Sequence, residues 1–359
     1  MRNNKPRALI ILTPGFPESE VDTTSLSHLQ TFVRALKEVD PHVEVIVLTL
    51  TYPFVSTNYH WYGIKVISFG NKHKGRVFNV ASILKMWGAL RKLNKQYQII
   101  GLLSFWLGKC AFIAGLFSKR HRLTHYCWLL GQDARAGNKY FARIKPKAGS
   151  IIAVSDFVAK ELKKNYGLLP RHVIPIGIDT ALFNCSDIDR DIDILGAGSL
   201  IPLKQYHLLL EIIKCLKYLA IDVKTVLCGD GPEMAHLQKL IDHMGLQNNI
   251  TLTGELPHTE VLKLMRRSKI LLHPSNYEGF STVCLEALYA GAKVVSFIRP
   301  MDTDIPNWYI AENTEEMLQL SKDLLQDTHI RYKAVAPYLV QNNARAIIKL
   351  FDANEQAIA

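Results

Sequence analysis

Apolar runs rich in Val and Ile alternate along this chain with segments whose apolar residues recur at helical spacing. In the first half the runs are "ALIILT" (8–13), "VEVIVLTL" (43–50), "IKVISF" (64–69), "QIIGLLSF" (98–105), "HYCWLL" (125–130) and "SIIAVS" (150–155). Helical spacing falls between several of them, at 25–38, 79–93 and 156–166. In the second half "DIDILGAG", "VKTVLCG", "NITLTG", "KILLH" and "KVVSF" alternate with helical patterns at 204–218, 233–244, 259–267 and 281–290. Such alternation predicts parallel sheets covered by helices, an α/β chain of two doubly wound units. The rhythm breaks at "GIDTALFNCSDIDR" (177–190), where turn-formers and charges gather. The predicted domains are therefore 1–180 and 181–335, with 336–359 a C-terminal helix packing back on the first. Beyond residue 314 the pattern reads as helical to the end.

A length of 359 residues with 48% apolar content suffices for two cores, at roughly 150 residues per domain. The six cysteines form no C-x-x-C pair and lie mostly inside apolar runs, which predicts buried thiols in a reducing cytoplasm rather than disulfides or a zinc site. Two stretches imitate membrane signals. The apolar run at 8–13 stops at Pro14-Gly15 without a small-residue cleavage site, so a first strand is expected there rather than a leader. Residues 99–118 are long enough to span a bilayer, but Lys109 stands at their middle. A central lysine costs about 2.5 to 3.5 kcal/mol on insertion, and Gly108-Lys109 divides the stretch into a strand and a helix.

Charge separates the two halves. Residues 1–180 carry 26 Lys/Arg against 10 Asp/Glu, a net of +16, whereas 181–359 carry 17 against 22, a net of −5. No carboxylate lies between Glu44 and Asp133, where twelve Lys/Arg occur, including those of "NKHKGR" (71–76) and "SKRHR" (118–122). A cationic field of this kind attracts an anionic membrane leaflet, each nearby cation contributing about 1 kcal/mol. A merely solvated basic domain is the alternative. Nucleic acid is not expected, since no helix-turn-helix, zinc-finger or RNP signature occurs.

Ligands of open α/β sheets bind beyond the carboxyl ends of strands, so two units facing across a cleft would line it with both sets of loops. The stretch "HPSNYEGFSTVCLEAL" (273–288) lies at such an end. The helix start near Ser281 offers free N–H groups and a positive dipole end to a phosphate, and Gly279 lets backbone approach closely. Val283, Cys284, Ala287 and Leu288 form a core stripe that leaves Thr282 and Glu286 on the opposite face. Carboxylates accept paired hydrogen bonds from vicinal hydroxyls, so Glu278 and Glu286 suit a ribose and a sugar ring. A loop charge and a solvated helix residue are the plainer interpretation.

The array "LHPSNYEGFSTVCLEALYAGAKVV" (272–295) resembles the donor-site signature of family 4 retaining glycosyltransferases, with Glu278 and Glu286 as its E-x7-E pair. Further motifs resemble that family in order: "AVSDFVAKEL" (153–162), "VIPIGIDTALF" (173–183), "GAGSLIPLKQYHLLL" (196–210), "CGDGPEMAHL" (228–237) and "ITLTGELPHTEV" (250–261). The likeness is dense over 150–300 and thin before it, where it rests on "TPGFP" and topology. It implies the GT-B architecture of two Rossmann-like domains, the first for the acceptor and the second for a nucleotide sugar. It implies further that Lys204 neutralises the donor diphosphate, that Glu286 holds the ribose, that Glu278 contacts the transferred sugar, and that Gly15, Gly198, Ser199, Gly231, Gly279, Phe280, Ser281 and Thr282 line the donor site. Two departures stand out. Ser199 replaces the family's usual arginine, and Ile176 the asparagine of I-P-N-G, which removes a cation from the site.

Asp133, in "WLLGQDARAGNKY", follows a strand and would project towards the cleft, where it can take a proton from an acceptor hydroxyl or simply form a turn. The two D-x-D triplets of "DIDRDID" (187–193) lie in a linker and within a strand rather than at a strand end, so no metal dependence is expected. "LGAGSLI" lacks the third glycine of a dinucleotide fingerprint, which argues against an oxidoreductase.

The expectation is a cytoplasmic, metal-independent glycosyltransferase, peripheral on the inner face of a membrane. It would move a sugar from a nucleotide diphosphate to an acceptor hydroxyl of a cell-surface polysaccharide or lipid-linked glycan, with no cofactor beyond the nucleotide sugar as substrate. An inactive nucleotide-sugar-binding protein and a phosphate-dependent phosphorylase of the same fold are the competing classes.

Overall fold

The computed structural model describes residues 5–23, 25–70, 76–183 and 189–358. Residues 71–75 of the basic "NKHKGR" run and Cys185 lie outside them. The chain divides into two compact units, one made of Met1–Gly177 with Tyr338–Ala359, the other of Ile178–Pro337.

The first unit contains β1 (Arg7–Gly15), α1 (Ser27–Val39), β2 (Val43–Tyr52), β3 (Asn58–Trp61), β4 (Ile64–Ser68), α2 (Arg76–Gln96), β5 (Gln98–Phe105), α3 (Lys109–His121), β6 (His125–Leu129), α4 (Lys139–Ile144), β7 (Ile151–Ala153), α5 (Asp156–Tyr166) and β8 (His172–Val173). Its sheet runs β3-β4-β2-β1-β5-β6-β7-β8. Every pairing is parallel except β3 with β4. Central strands of such a sheet are buried on both faces, which is why β1 reads as a continuous apolar run. Ala8, Ile10 and Leu12 pack with Met86 and Leu90 of α2 and Ile113 and Phe117 of α3, while Leu9 and Ile11 are equally buried. The 99–118 stretch separates into β5 and α3, with α3 beginning at Lys109. No helix among the described residues is long and apolar enough to cross a membrane.

The second unit contains β9 (Ile192–Ala197), α6 (Tyr206–Tyr218), β10 (Thr225–Cys228), α7 (Met234–His243), β11 (Ile250–Gly254), α8 (His258–Arg267), β12 (Ser268–His273), α9 (Thr282–Tyr289), β13 (Lys293–Ser296), β14 (Trp308–Ile310) and α10 (Thr314–Gln326). Its all-parallel sheet runs β11-β10-β9-β12-β13-β14, the dinucleotide-fold order 3-2-1-4-5-6. Leu209, Ile213 and Leu216 of α6, Leu237 of α7 and Met317 of α10 close over Ile194, Leu227 and Ile270.

The expectation of unbroken helix beyond 314 is wrong between α10 and α11 (Val340–Ile358). Residues 327–339 contain no helix, and the second unit pins residues 331–335 in an irregular path. Lys293 Nζ donates to the Arg331 carbonyl at 2.8 Å, Val335 N donates to the Leu288 carbonyl at 3.0 Å, and Arg190 lies 4.7 Å from the centre of the Tyr332 ring. Pro337 adds a residue without an N–H.

Helix α11 belongs to the first unit, where it packs on α1 and β5. Its ring Phe351 is fully buried and lies over Gly101, where any Cβ would collide with it. Tyr126 meets Phe351 edge-on at 5.1 Å, and Arg7 pairs with Asp352 at 3.1 Å. Gly177 serves the same docking, since a Cβ there would strike the backbone of Leu339 and Val340. Replacing Phe351 with Ala should cost about 3–5 kcal/mol, to be measured by urea unfolding of the first unit's transition. A loss below about 1 kcal/mol would mean that α11 contributes little to this core.

Candidate functional site

Strands β9 and β12 are neighbours, but the chain leaves β9 towards β10 and β12 towards β13, on opposite sides. A crevice therefore opens at their carboxyl ends, the switch point where ligands of this strand order bind. The loop after β9 ends in a 3-10 turn, Pro202–Lys204. The loop after β12 runs through Glu278 to the cap of α9. The two meet directly: Asn276 N donates to the Leu203 carbonyl at 3.2 Å, and Lys204 Nζ lies 2.5 Å from Glu278 Oε2.

Glycines let the loops after β9 and β10 run alongside each other. Gly229, with φ of 146°, carries no Cβ that would strike the Gly198 carbonyl, and Gly231 is held in the same way against Leu200. Gly198 N donates to the Cys228 carbonyl at 3.0 Å and Leu200 N to that of Asp230 at 2.9 Å. Ser199 is exposed at the tip of this arrangement. Beneath it the Tyr206 hydroxyl is buried and finds no partner among the described residues.

Lys204 and Glu278 are both largely buried. Burial would raise the Glu278 carboxyl, but the His273 hydrogen bond and the Lys204 ammonium outweigh it and hold the group at about 2. His273 Nε2 lies 3.4 Å from Glu278 Oε2 and 3.1 Å from Ser275 Oγ. Its own burial lowers its pKa, so at neutral pH the imidazole is uncharged and donates one proton to the carboxylate. Glu278 is thus a fixed anion at neutral pH. It can accept hydrogen bonds or stabilise positive charge, and it has no proton to give.

At the start of α9, Ser281 Oγ accepts from Cys284 N at 3.4 Å, an N-cap that leaves other first-turn amides without intrahelical partners. Thr282 is half-buried beside it. The stripe expected from the sequence needs correction: Val283 is half-buried and Leu285 fully buried. Helix α9 packs on β12 and β13 and also against α8, which covers a second side. Glu286 is accordingly buried, with Oε1 2.8 Å from His258 Nε2. Burial lowers the His258 pKa, yet the hydrogen bond and charge of Glu286 overcome this and raise it. The stabilisation from this pair is full below the ordinary histidine value of 6.5 and lost as pH rises through the raised one. Phe280 is buried edge-on to Trp308 at 6.0 Å, and Gly279 is buried beside it.

Two predicted residues belong to the first unit. Gly15 ends β1, where an added Cβ would make only ordinary contacts with Leu26 and Tyr52, so its backbone does not demand glycine. Asp133 is buried, and burial raises its pKa against the opposing pull of backbone amides. Its Oδ2 accepts from Leu107 N at 2.8 Å and its Oδ1 from Gly131 N at 3.0 Å and Leu130 N at 3.2 Å. These contacts are those of a turn-forming aspartate. Ile176 is buried in the same unit.

Of the two D-x-D triplets, Asp187 lies outside the described residues, and both carboxylates of the second are engaged in ion pairs. Asp191 binds Arg267 and Lys224 at 2.6 and 2.7 Å, and Asp193 binds Lys269 at 2.7 Å. They lie at the amino end of the strand, away from the crevice. Among the described residues no group of three or more His, Cys, Asp or Glu side chains is arranged to hold a metal ion. His258 and Tyr206 escaped the sequence reading. The only signal for them was position, His258 at the end of "TGELPH" and Tyr206 two residues after Lys204.

Residues 182–305 match the family described as Glycosyl transferases group 1, and residues 27–182 match Glycosyltransferase Family 4. An uncharacterised glycosyltransferase of Methanocaldococcus jannaschii is 24% identical over 75% of this chain and 73% of its own. One component of the Arabidopsis thaliana phosphatidylinositol N-acetylglucosaminyltransferase is 32% identical over 36% of this chain, which spans only 30% of that relative. A Mycolicibacterium hassiacum α-(1→4)-mannosyltransferase is 28% identical over 43% of this chain and 38% of its own length. Among solved structures, Anabaena HepE in complex with UDP and glucose superposes with a TM-score of 0.64 at 17% identity, covering 98% of this chain and 99% of that one. Sucrose-phosphate synthase from Thermosynechococcus elongatus gives 0.67 at 14% identity, covering 99% and 98%. At these identities the structures speak to the fold.

The depressed pKa of Glu278 has a consequence for stability. A carboxyl at about 2 instead of 4.5 contributes stability above the higher value that disappears as pH falls towards the lower one, up to ~3 kcal/mol. The stability gap between the wild type and Glu278→Gln should therefore narrow from pH 5 towards pH 2, as measured by urea unfolding at each pH. A gap independent of pH would show that the carboxylate is not held by Lys204 and His273.

Proposed function

We propose, because this chain belongs to the group 1 glycosyltransferases and has their GT-B fold, that it moves a hexosyl group from a nucleoside diphosphate to an acceptor hydroxyl with retention of configuration and without a metal ion. The observation that carries this reading is the meeting of Lys204 and Glu278 at the switch point, 2.5 Å apart, beside the amino end of α9. A departing diphosphate needs cationic and N–H stabilisation, and that crevice offers an ammonium and a helix start together.

In this reading Lys204 and the first amides of α9 receive the diphosphate, and Lys204 shares its charge between phosphate and Glu278 as the leaving group develops. Glu286, oriented by His258, accepts from the ribose hydroxyls. Glu278, ionised and steadied by neutral His273, faces the transferred sugar as a hydrogen-bond acceptor and as a counter-charge to an oxocarbenium-like transition state. Transfer on the front face needs no protein nucleophile. Asp133 has the loop-tying role, since three amides occupy its oxygens. Metal independence is supported by the engagement of Asp191 and Asp193 in ion pairs at the wrong end of β9. The cationic first unit holds the acceptor, a lipid-linked or cell-surface glycan, and docks on an anionic membrane.

A panel of UDP-, GDP- and ADP-sugars tests this by thermal shift and by release of nucleoside diphosphate. UDP-glucose is the first to try, given the UDP and glucose bound by HepE. Lys204→Ala should lower kcat by about 10²–10³-fold with the fold intact, and Glu278→Ala should abolish release. Binding without turnover would favour an inactive nucleotide-sugar-binding protein, and turnover dependent on inorganic phosphate would favour a phosphorylase.

A further inference from the structure

Helices α2, α3 and α4 of the first unit lie side by side, α3 touching both of the others, and none of the three contains an Asp or Glu. Their exposed positions mix two kinds of residue. Val80, Leu84 and Leu116 are large apolar side chains about half or more exposed, and Lys85, Arg91, Lys92, Lys95, Lys119 and Arg120 of α2 and α3 are exposed cations. Water favours neither an apolar nor a single-sign surface, but the boundary between headgroups and acyl chains favours both together.

A groove of about 210 Å³ opens in this face between the carboxyl ends of α3 and α4. Phe112, Leu116 and Ile144 form apolar walls, while Lys119, Arg143, Lys145 and Lys147 rim it and no carboxylate lines it. None of the four cations forms an ion pair among the described residues. The helix dipole accounts for Lys119 and Arg143 in the last turns of α3 and α4. It does not account for Lys147, which lies beyond both helices. The groove borders His125 and Ser150, at the amino ends of β6 and β7, the opposite end of the sheet from the loops that bind ligands in this type of fold.

We propose that this groove seats the phosphate of an anionic phospholipid, and that α2, α3 and α4 form the face that meets the bilayer. The inference rests on the reading of the first unit as membrane-docked and adds to it a headgroup site separate from the reaction centre. A phosphate seated in this groove would meet cations of its rim without loss of an ion pair present among the described residues. Phe112, Leu116 and Ile144 would hold the glycerol and the first methylenes, and Leu84 and Val80 would enter the interface beside it.

Co-sedimentation with phosphatidylcholine vesicles, with and without phosphatidylglycerol, provides the test. The wild type should bind only the anionic vesicles. Lys145→Gln/Lys147→Gln should weaken this about 25-fold, about fivefold for each cation, which corresponds to about 1 kcal/mol each. A charge-matched control on α5, Lys163→Gln/Lys164→Gln, should bind as the wild type does. Equal weakening by both pairs would overturn the seat and leave general electrostatic docking standing, whereas a wild type indifferent to phosphatidylglycerol would overturn docking and seat together. If the groove variant fails to fold, titration of the wild type with water-soluble dihexanoyl-phosphatidylglycerol and with inorganic phosphate gives an independent reading. Saturable binding of the lipid in preference to phosphate supports the seat. Equal binding makes it a free-phosphate site, and no saturable lipid binding overturns it.

Discussion

The parallel pairing of β9 with β12 is the constraint on which the candidate site depends. Because the chain departs from these neighbours in opposite directions, no connection can cover their carboxyl ends, and the two loops that leave there must face each other. Lys204 and Glu278 lie 74 positions apart in the chain, and it is this topology that brings them into contact. The glycine-assisted packing of the β9 and β10 loops then fixes the backbone from which Lys204 extends. A salt bridge in so buried a setting is weak evidence of stabilisation by itself. Its significance is positional, since it holds an ammonium and a carboxylate that is ionised at neutral pH at the mouth of a helix amino end.

Much of this was legible from the chain alone, for reasons that differ between levels. The long strands β1, β2 and β5 announce themselves because burial on both faces demands uninterrupted apolar sequence. Helix α5 shows its cap, Ser155 accepting from Val158 N, and its closing Gly167. Strands β3, β8 and β14 were missed because each has only two to four residues. Pairing at a sheet edge, rather than composition, makes such segments strands. The break between α10 and α11 was missed because its causes, Lys293 and Arg190, act from distant parts of the sequence. The crevice residues were legible as a spacing of glutamates, glycine and hydroxyls. The partners that determine their protonation, His273 for Glu278 and His258 for Glu286, were not, because a histidine's role depends on what burial places against it.

The two units divide their electrostatics in a way that suits different tasks. In the second, opposite charges are paired closely: Asp191, Asp193, Glu278 and Glu286 all have basic partners within 3 Å. In the first, helices α2 to α4 carry cations with no acidic counterpart on the same elements. Charge matched by its opposite orders a local structure, whereas charge of one sign gathered on neighbouring helices projects a field beyond it. One arrangement suits the precise placement of a small ligand, the other the attraction of an extended anionic surface.

The return of α11 to the first unit also bears on how the protein is made. Arg7 and Asp352 are 345 positions apart, and the ring that fills the space above Gly101 is synthesised only after the whole second unit. At about 5–20 residues per second, the first sheet therefore waits on the order of tens of seconds on the ribosome with an apolar slot open. The second unit, Ile178–Pro337, is complete by the end of that interval, so it can close its own core before the first unit closes its last slot.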